Sequence, residues 1–390
     1  MRPDFSHAQE PARAYFRLKL PTALSLLQPF LHHSFGNNVF SIEAPESAIS
    51  LLSKNPTLEF RGYASLWKID ARRTSAACSP STPIPWGVTK VGGGTGGTGL
   101  KVAVLDTGIY KDHPDLKASV IDCVDAQTSA LRKRCADGNG HGTHVSGTIA
   151  ATGKIKGMAP DAKLLAVKVC SNSGWCWSDD VARGVRYATQ KGANIINLSL
   201  GGSAISKDEK AAFDAATSAG VLIVAAAGNS GPGDNTINYP AAYAPVTAVG
   251  AIDSTDTIAN FSSRGNNFNT IPYSVEERDI ELVGPGVSVE STAKNGCYAT
   301  YSGTSMATPH ISGLAAKLWQ GSAAATRTYL QDRARNFYSD LGRPGDDPSV
   351  IISPLFPKTA GIRLRRNKSR RGTYDQENPP RQSRRRLDSL

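Results

Sequence analysis

Short and almost continuous apolar runs recur through the middle of the chain, and helical patterns separate several of them. Runs without alternation are typical of strands buried on both faces, as in a parallel sheet covered by helices. Residues 179–191 and 207–219 have the apolar spacing of two such covering helices. The pattern therefore predicts an α/β fold with a mainly parallel sheet. The runs are LKVAVL (100–105), LLAVKV (164–169), ANIINLSL (193–200), VLIVAAA (221–227) and VTAVGAI (246–252).

The N-terminal part of the chain has a different pattern, which predicts a small α+β domain over residues 14–70. Ala14, Phe16 and Leu18 alternate with Tyr15, Arg17 and Lys19, which is the period of a half-buried strand. The predicted elements are strands at 14–20, 39–42 and 57–67 and helices at 22–33 and 46–54. Residues 1–13 are interpreted as an N-terminal extension, and the Ser- and Pro-rich residues 71–84 as an exposed linker that contains the processing region.

Composition limits the function classes. The chain has 390 residues with 40% hydrophobic content, enough for a sizeable core and more than one domain. Its net charge is +11, but residues 358–390 contain 11 Lys and Arg against 3 Asp and Glu, and the rest contains 33 against 30. We therefore predict a disordered basic tail at 358–390 and no specific nucleic-acid partner. A solvated or removed tail is favoured over a role in binding an anionic surface.

Targeting signals are not visible in this chain. No apolar run is long enough for a transmembrane segment, and residues 1–16 contain no signal-peptide core. The six cysteines form no Cys-x-x-Cys pair, which argues against a zinc ribbon or a thioredoxin-type site. Six thiols allow 15 pairings. Short spacings favour the disulfides Cys123–Cys135 and Cys170–Cys176, which leaves Cys78 and Cys297 for each other. Disulfides indicate an oxidising compartment, whereas six reduced, partly buried thiols are the alternative.

Chemically versatile side chains follow the apolar runs, at the edge where parallel sheets bind their ligands. Asp106 ends the first run, and Asn229 follows the fourth. His141 lies in a glycine-rich stretch, and Ser305 begins the helical pattern after YSGT. Each residue alone has an ordinary explanation as a helix cap or a turn residue. A phosphate-binding loop would need a lysine, and the pair His141 and His144 lacks the glutamate of the zinc-binding His-Glu-x-x-His helix.

Five segments together resemble the subtilisin-like serine protease family: VLDTGIYKDHPDL, GHGTHVSGTIAA, NLSLGG, AAAGNSG and SGTSMATPH. Their order places Asp before His before Ser, which differs from α/β-hydrolases, in which the serine comes first. The resemblance implies a three-layer subtilisin-like peptidase domain over residues 85–357. Residues 14–70 resemble the inhibitory propeptide of the family in pattern, which implies that this domain inhibits the active site of the same chain.

The resemblance also implies a role for each reactive residue. Ser305 would be the nucleophile, His141 its general base, and Asp106 the group that fixes the imidazole tautomer and stabilises the imidazolium. Asn229 and the Ser305 backbone N–H would stabilise the oxyanion. In subtilisin itself, removing the matching asparagine lowers the rate roughly 10²–10³-fold, so the same change here should slow turnover without abolishing it.

The family's substrate-binding segments also have counterparts here. The resemblance implies that Ser199, Leu200 and Gly201 pair with an extended substrate, which favours polypeptides over small esters. Residues 172–175, including Gly174, are expected to form the facing strand. Trp177 beside it would favour a bulky residue several positions before the cleaved bond, although Trp175 and Trp177 packing against the sheet is an equal alternative. Cleavage of the propeptide is expected between residues 68 and 83, with Arg72-Arg73 either the site or simply linker charge.

The sequence departs from the family pattern in the metal-binding and pocket segments. Residues 150–160 are too short for the calcium-binding loop of many relatives, and Asp115, which matches a ligand position, would lack its partners. Asp279 and Glu281 are weak candidates for another cation site, with solvation of both acids as the alternative. Asn238 replaces a glycine at the expected base of the primary pocket, which predicts a shallower or more polar pocket. Residues 266–278 resemble a surface insertion.

Together these features predict a monomeric, secreted serine endopeptidase that is made as a self-processing zymogen and cleaves polypeptides through an acyl-enzyme. No cofactor is expected for catalysis, and a structural calcium ion stays an open alternative. A catalytically silent binding protein on the same scaffold is the alternative function.

Overall fold

The computed structural model describes residues 12–233, 235–265, 275–339 and 350–351. The N-terminal domain is a four-stranded antiparallel sheet in the order β2-β3-β1-β4. Ala14, Phe16 and Leu18 of the first strand point into one apolar core with Leu27 and Ile49, as the alternation predicts. The elements are β1 (Ala12–Leu18), α1 (Leu24–Leu27), β2 (Leu31–Gly36), β3 (Val39–Ala44), α2 (Glu46–Ser53) and β4 (Leu58–Tyr63).

Three local expectations for this part of the chain are wrong in part. The helix expected at 22–33 stops early, because Pro29 lies in a 3₁₀ turn and the chain from Leu31 pairs with β3. The strand expected at 57–67 is divided into β4 and β5 (Leu66–Lys68). The expected linker contains a strand, β6 (Arg72–Ala77), whose side chains are all exposed.

The main sheet has eight parallel strands in the order β17-β14-β13-β12-β11-β7-β9-β8. This confirms the predicted α/β class. The elements that follow β6 are α3 (Trp86–Lys90), β7 (Lys101–Asp106), β8 (Val120–Asp125), α4 (His141–Ala150), β9 (Lys163–Lys168), β10 (Trp175–Trp177), α5 (Ser178–Gln190), β11 (Ile195–Leu198), α6 (Lys207–Ser218), β12 (Leu222–Ala226), β13 (Thr247–Ile252), β14 (Leu282–Pro285), β15 (Val289–Thr292), β16 (Tyr298–Ser302), α7 (Thr304–Lys317), α8 (Ala323–Ser339) and β17 (Val350–Ile351).

Helices cover both faces of the main sheet and create the three layers. Val102 and Val104 of β7 face the core that α4 and α7 close. Ala103 and Leu105, the alternate residues of the same strand, face the core that α5 and α6 close. Because β7 is buried on both faces, its sequence is apolar throughout instead of alternating.

Two smaller sheets connect the segment of residues 66–77 to strands that lie outside the main sheet. β5 pairs with β10, and β6 pairs with β16 in a three-stranded sheet of the order β15-β16-β6. β16 ends at Ser302, and α7 begins two residues later at Thr304. Ser305 therefore lies where an antiparallel strand leads into a buried helix.

Three disulfides connect Cys78 to Cys297, Cys123 to Cys135 and Cys170 to Cys176. They confirm the expectation of disulfides. Two of them are the pairs that the short spacings favoured, and Cys78–Cys297 is the pair that these left. The Cys78–Cys297 bridge joins the segment after β6 to the residue before β16 across a sequence separation of 219.

The N-terminal domain packs on α5 and α6 through charged groups. The Arg13 guanidinium donates to Asp179 Oδ1 at 3.1 Å and to Asp180 Oδ2 at 2.8 Å, in the first turn of α5. Arg61 donates to both oxygens of Asp208, in the first turn of α6, at 2.7–3.0 Å. These carboxylates also benefit from the positive ends of their helices.

The expected tail, residues 358–390, and most of the expected insertion, 266–274, lie outside the described residues, as do residues 1–11 of the expected extension. Within the part of the chain that the structure describes, no helix is long and apolar enough to cross a membrane.

Candidate active site

Asp106 and His141 meet at the carboxyl edge of the main sheet. Asp106 is the last residue of β7, and His141 is the first residue of α4. His141 Nδ1 lies 2.9 Å from Asp106 Oδ1 and 3.0 Å from Oδ2, and both side chains are buried. A carboxylate in this position fixes the tautomer with the proton on Nδ1, which leaves Nε2 free to accept a proton.

Asp137 holds the loop that carries His141. Its carboxylate accepts hydrogen bonds from the backbone N–H groups of Asn139, Gly140 and Thr143 and from the hydroxyls of Thr143 and Thr107. Thr107 Oγ1 also accepts from the backbone N–H of Gly142, which joins the Asp106 turn to the start of α4. Sequence reasoning missed Asp137, although an aspartate in ADGNG is a recognisable loop-organising residue.

Ser305 lies in the first turn of α7, but its hydroxyl does not point to His141 in this structure. Ser305 Oγ donates to the carbonyl oxygen of Ser199 at 3.0 Å, and Ser199 Oγ donates to the Ser305 carbonyl at 2.9 Å. His141 Nε2 is buried and has no hydrogen-bond partner among the described residues. The structure thus shows the Asp–His pair directly and the serine bonded to Ser199, the residue that follows β11.

Asn229 contacts a peptide carbonyl of the chain itself. Its Nδ2 donates to the backbone oxygen of Asp70. Its Oδ1 accepts from the Thr304 N–H at 2.9 Å and from Thr304 Oγ1 at 3.0 Å, so the amide orientation is fixed. A methyl group on Gly303 would lie 3.0 Å from the Asp70 oxygen and 3.5 Å from Ala71 Cα. The Asp70–Ala71 peptide bond therefore crosses the turn that carries Ser305.

The residues before this peptide bond form a strand between two edges. The Lys68 N–H donates to the Gly201 oxygen at 2.9 Å, and the Gly201 N–H donates to the Lys68 oxygen at 3.2 Å. On the other side, the Ile69 N–H donates to the Gly174 oxygen at 2.9 Å. Gly201 and Gly174 thus contact an extended segment as the sequence analysis expected, with the main chain making the contacts.

The facing strand lies further along the chain than expected. Residues 172–175 were expected to form it, but β10 covers Trp175–Trp177 and pairs with β5. The Ser171–Trp175 segment is instead a turn, in which the Gly174 N–H donates to the Ser171 oxygen at 3.0 Å. Leu200, also expected to touch substrate, is buried in the core beside β11.

Trp67, the fourth residue before the Asp70–Ala71 bond, fills the cleft between the two edges. Its indole is 1% exposed, and Nε1 donates to the Ala204 oxygen at 2.9 Å. The backbone of Gly202 lies directly against the ring. Trp177 packs against the apolar cluster that contains Tyr15 and Ala182, and the Arg13 guanidinium stacks 5.0 Å from its ring. Trp175 is 44% exposed beneath Lys68.

Asn238 lies between two glycines that border the cleft. A methyl group on Gly228 would meet Asn238 Nδ2 at 2.6 Å, and one on Gly201 would meet Asn238 Cβ at 3.2 Å. The asparagine therefore places an amide where the sequence analysis expected the base of the primary pocket. The shallower or more polar pocket expected from this residue stays a prediction.

Two other buried histidines are unsuited to act as bases. His144 Nε2 lies 3.0–3.1 Å from the carbonyls of Val289 and Ala299, and its ring stacks on Tyr301. Burial, followed by repulsion from His141, lowers the pKa of His144 to about 3. Burial likewise lowers the pKa of His310 to about 4. Both rings are therefore neutral structural groups near neutral pH.

The acids considered as metal ligands have protein partners. Asp115 Oδ1 accepts from the Lys154 N–H at 3.0 Å, and Oδ2 accepts from the Ile155 N–H at 3.1 Å and from the Tyr298 hydroxyl at 2.7 Å. Glu281 is bound by the Arg327 guanidinium at 2.6–3.0 Å, so its counter-charge is an arginine. Asp279 accepts from the Glu276 N–H at 2.8 Å. These contacts disfavour Glu281 as a cation ligand.

Comparison with known proteins agrees with this geometry. Residues 97–349 match the model of the Subtilase family. The chain is 36% identical over 350 residues to Subtilisin from Bacillus sp. (strain TA39), covering 80% of this chain and 83% of the relative. It is 41% identical over 269 residues to Subtilisin Savinase from Lederbergia lenta, covering 66% of this chain and 93% of the relative.

Solved structures give the same assignment. Sphericase superimposes with a TM-score of 0.63 at 44% identity, covering 66% of this chain and 91% of that one. S41 Psychrophilic Protease superimposes with a TM-score of 0.64 at 38% identity, covering 70% and 98%. Family, fold and residue pattern agree, and the chain therefore belongs to the subtilase family as a subtilisin-like serine endopeptidase.

Proposed function

We propose that this endopeptidase is made as a zymogen that cuts its own Asp70–Ala71 peptide bond, with Ser305 as nucleophile, His141 as general base and Asp106 as its orienting carboxylate. One observation carries the proposal: the Asp70 carbonyl accepts a hydrogen bond from Asn229 while the chain on both sides is held in strands. An uncut chain bound in this way has the position of a substrate.

The proposed reaction begins with a rotation of the Ser305 side chain. Its hydroxyl leaves the Ser199 carbonyl and donates to His141 Nε2, the buried nitrogen that otherwise has no partner. His141 takes the proton as Ser305 Oγ attacks the Asp70 carbonyl carbon. Asp106, bonded to Nδ1, stabilises the imidazolium that forms.

The carbonyl oxygen of Asp70 gains negative charge as its carbon becomes tetrahedral. Asn229 Nδ2 already donates to this oxygen, and Thr304 holds the Asn229 amide in that orientation. The Ser305 N–H, at the positive end of α7, would supply a second donor. His141 then protonates the Ala71 nitrogen, so that the peptide bond breaks and Asp70 stays as an ester on Ser305. Water attacks this ester with His141 again as base, which releases the Asp70 carboxylate and regenerates the serine.

After cleavage the N-terminal domain would stay bound as an inhibitor. Its Trp67 and Lys68 occupy the cleft. Its sheet is held by Arg13 and Arg61 against carboxylates of α5 and α6. Release would open the cleft to other extended polypeptides, which would add a strand between Gly201 and Gly174 in the same way. The three disulfides support action in an oxidising compartment outside the cytosol.

A direct experiment tests this function. Wild-type chain is expressed, its N-terminus is sequenced over time, and it is treated with a fluorophosphonate that labels activated serines. We expect a new N-terminus at Ala71 and labelling of Ser305, whereas Ser305→Ala should stay at full length and unlabelled. A chain without residues 358–390 should keep its peptidase activity.

A matched variant separates this site from the dibasic pair after it. In Arg72→Ala/Arg73→Ala, cleavage at Ala71 should persist, because the Asn229 contact is to the backbone of Asp70. A first cut after Arg73 in wild type would refute the proposed bond. An uncut, unlabelled wild-type chain would instead support the alternative function, a catalytically silent binding protein. The observation that favours this alternative is the hydrogen bond from the Ser305 hydroxyl to the Ser199 carbonyl.

A further inference from the structure

The segment after the proposed cut lies on the leaving-group side of the site. β6 pairs with β16 in antiparallel register from Arg72 opposite Ser302 to Ala77 opposite Tyr298. Because β16 leads directly into the turn that carries Ser305, this edge is where the substrate residues that follow a cleaved bond would run. In the uncut chain, residues 71–77 occupy it.

Burial of side chains does not hold this segment. All six side chains of β6 are exposed, so the segment contributes almost nothing to an apolar core. The backbone ladder holds it, together with Thr74 Oγ1, which donates to the Thr300 oxygen at 3.0 Å. The Cys78–Cys297 disulfide then anchors its far end, one residue before β16 begins.

The proposed cut leaves the segments on its two sides attached in different ways. Residues before the cut are bound to the protease domain only by non-covalent contacts and can leave. Residues 71–77 stay attached to the protease domain through the continuous backbone, and the Cys78–Cys297 disulfide fixes their far end beside the start of β16 whether or not the ladder is formed. A tether this short keeps the segment at an effective concentration on the order of millimolar beside its binding edge.

We infer that, in the processed enzyme, residues 71–77 act as an internal competitor for the substrate residues that follow the cleaved bond. The inference rests on the proposed cleavage at Asp70–Ala71. Because the anchor is at Cys78 and the free end is at Ala71, the strand opens from Ala71. A substrate with one residue after the cleaved bond displaces only this end. A substrate with six such residues must displace the whole strand, so the penalty grows with the length of the leaving portion.

The test compares two peptides with the same residues before the cut. One has a single residue after the cleaved bond, and the other has six. The readout is the ratio of kcat/KM for the long peptide to that for the short one, which cancels changes in the amount of active enzyme. We expect this ratio to rise about 3- to 10-fold in Cys78→Ser/Cys297→Ser, because the segment is then tethered only through the longer backbone connection, which lowers its effective concentration at the β16 edge.

A second variant keeps the disulfide and breaks the ladder. Adjacent strand residues direct their N–H groups to opposite sides, so Ser75→Pro/Ala76→Pro removes one N–H that faces β16 whichever residue supplies it. This proline variant should raise the ratio of kcat/KM values as well, and it replaces the cysteine variant in the test if that variant fails to fold. Cys123→Ser/Cys135→Ser, which removes a different disulfide, should leave the ratio unchanged.

The outcomes separate this inference from the proposed function. An enzyme whose N-terminus is Ala71 and whose ratio stays within about 2-fold of wild type in the folded variants would overturn the inference alone. An N-terminus beyond Cys78 would overturn it as well, because the competing segment would be gone. Failure of the chain to cut at Ala71 would refute the proposed function instead. A raised ratio in both the serine and the proline variants supports the inference.

Discussion

Gly202 is expected to decide whether the cleft accepts tryptophan as the fourth residue before the cut. A methyl group at Gly202 would lie under 3.0 Å from Trp67 Cδ1, 3.1 Å from Cγ and 3.2 Å from Nε1. The backbone there has little freedom to move, because the Gly202 N–H donates to the Tyr239 oxygen at 2.9 Å. The indole has no free end to give way, because Nε1 is bonded to Ala204. Gly202→Ala should therefore expel the ring.

The size of the effect follows from the burial of Trp67, which is 1% exposed. Removing a buried tryptophan side chain costs about 3–5 kcal/mol in protein cores. The indole hydrogen bond adds about 1 kcal/mol. The lower end of this range, about 3 kcal/mol, corresponds to a change on the order of 10²-fold in kcat/KM.

The assay uses peptides that copy residues 65–72, with tryptophan or alanine at the position of Trp67. Processed wild-type enzyme should prefer the tryptophan peptide on the order of 10²-fold, and Gly202→Ala should reduce this preference to a few-fold. A peptide with alanine at the position of Leu66, which is 37% exposed, is the control and should react like the parent. If Gly202→Ala kept the full preference for tryptophan, the assigned position of the indole in the cleft would be wrong.

Three further predictions concern the site and the domain junction. Asn229→Ala should lower kcat on the order of 10²–10³-fold with little change in KM, and an unchanged kcat would remove it from the oxyanion site. Asp137→Ala in a Ser305→Ala background should lower the free energy of unfolding by roughly 3 kcal/mol, because five hydrogen-bond donors lose their carboxylate acceptor. Denaturant unfolding measures this free energy, and a loss under about 0.5 kcal/mol would contradict the role of Asp137 in holding the loop. Burial raises the pKa of Glu209, which accepts from the Tyr15 hydroxyl at the junction, from its ordinary 4.5 to about 7. The protonated acid is favoured in the complex, so its contribution is present below pH 4.5 and is lost as the pH rises through about 7. Relative to Glu209→Gln, the cut wild-type complex should release its N-terminal domain more readily at pH 8 than at pH 5, and parallel pH profiles for both would refute this.

Local patterns predicted the residues that approach one another at the sheet edge. Asp106 and Asn229 follow strands of one parallel sheet, and the carboxyl ends of such strands meet at the same edge. The disulfides of the structure are those expected from the sequence, because short loops bring Cys123 near Cys135 and Cys170 near Cys176, which leaves Cys78 and Cys297 as the third pair. Asp137 escaped sequence reasoning, because its importance lies in donors that converge on it from two separate segments.

The sequence by itself determined the family, the layered fold and which residues are candidates for the reaction, since apolar period and short motifs are local properties of the chain. Only the tertiary structure decided which peptide bond reaches Asn229 and that residues 72–77 form a strand. The polar linker has no apolar period to reveal that strand, because it is formed by backbone hydrogen bonds to β16, more than two hundred residues away. Almost every residue carries the same backbone N–H and C=O groups, so the sequence of a segment does not specify which strand it pairs with. That partner depends on which strand edge lies beside the segment in the folded chain.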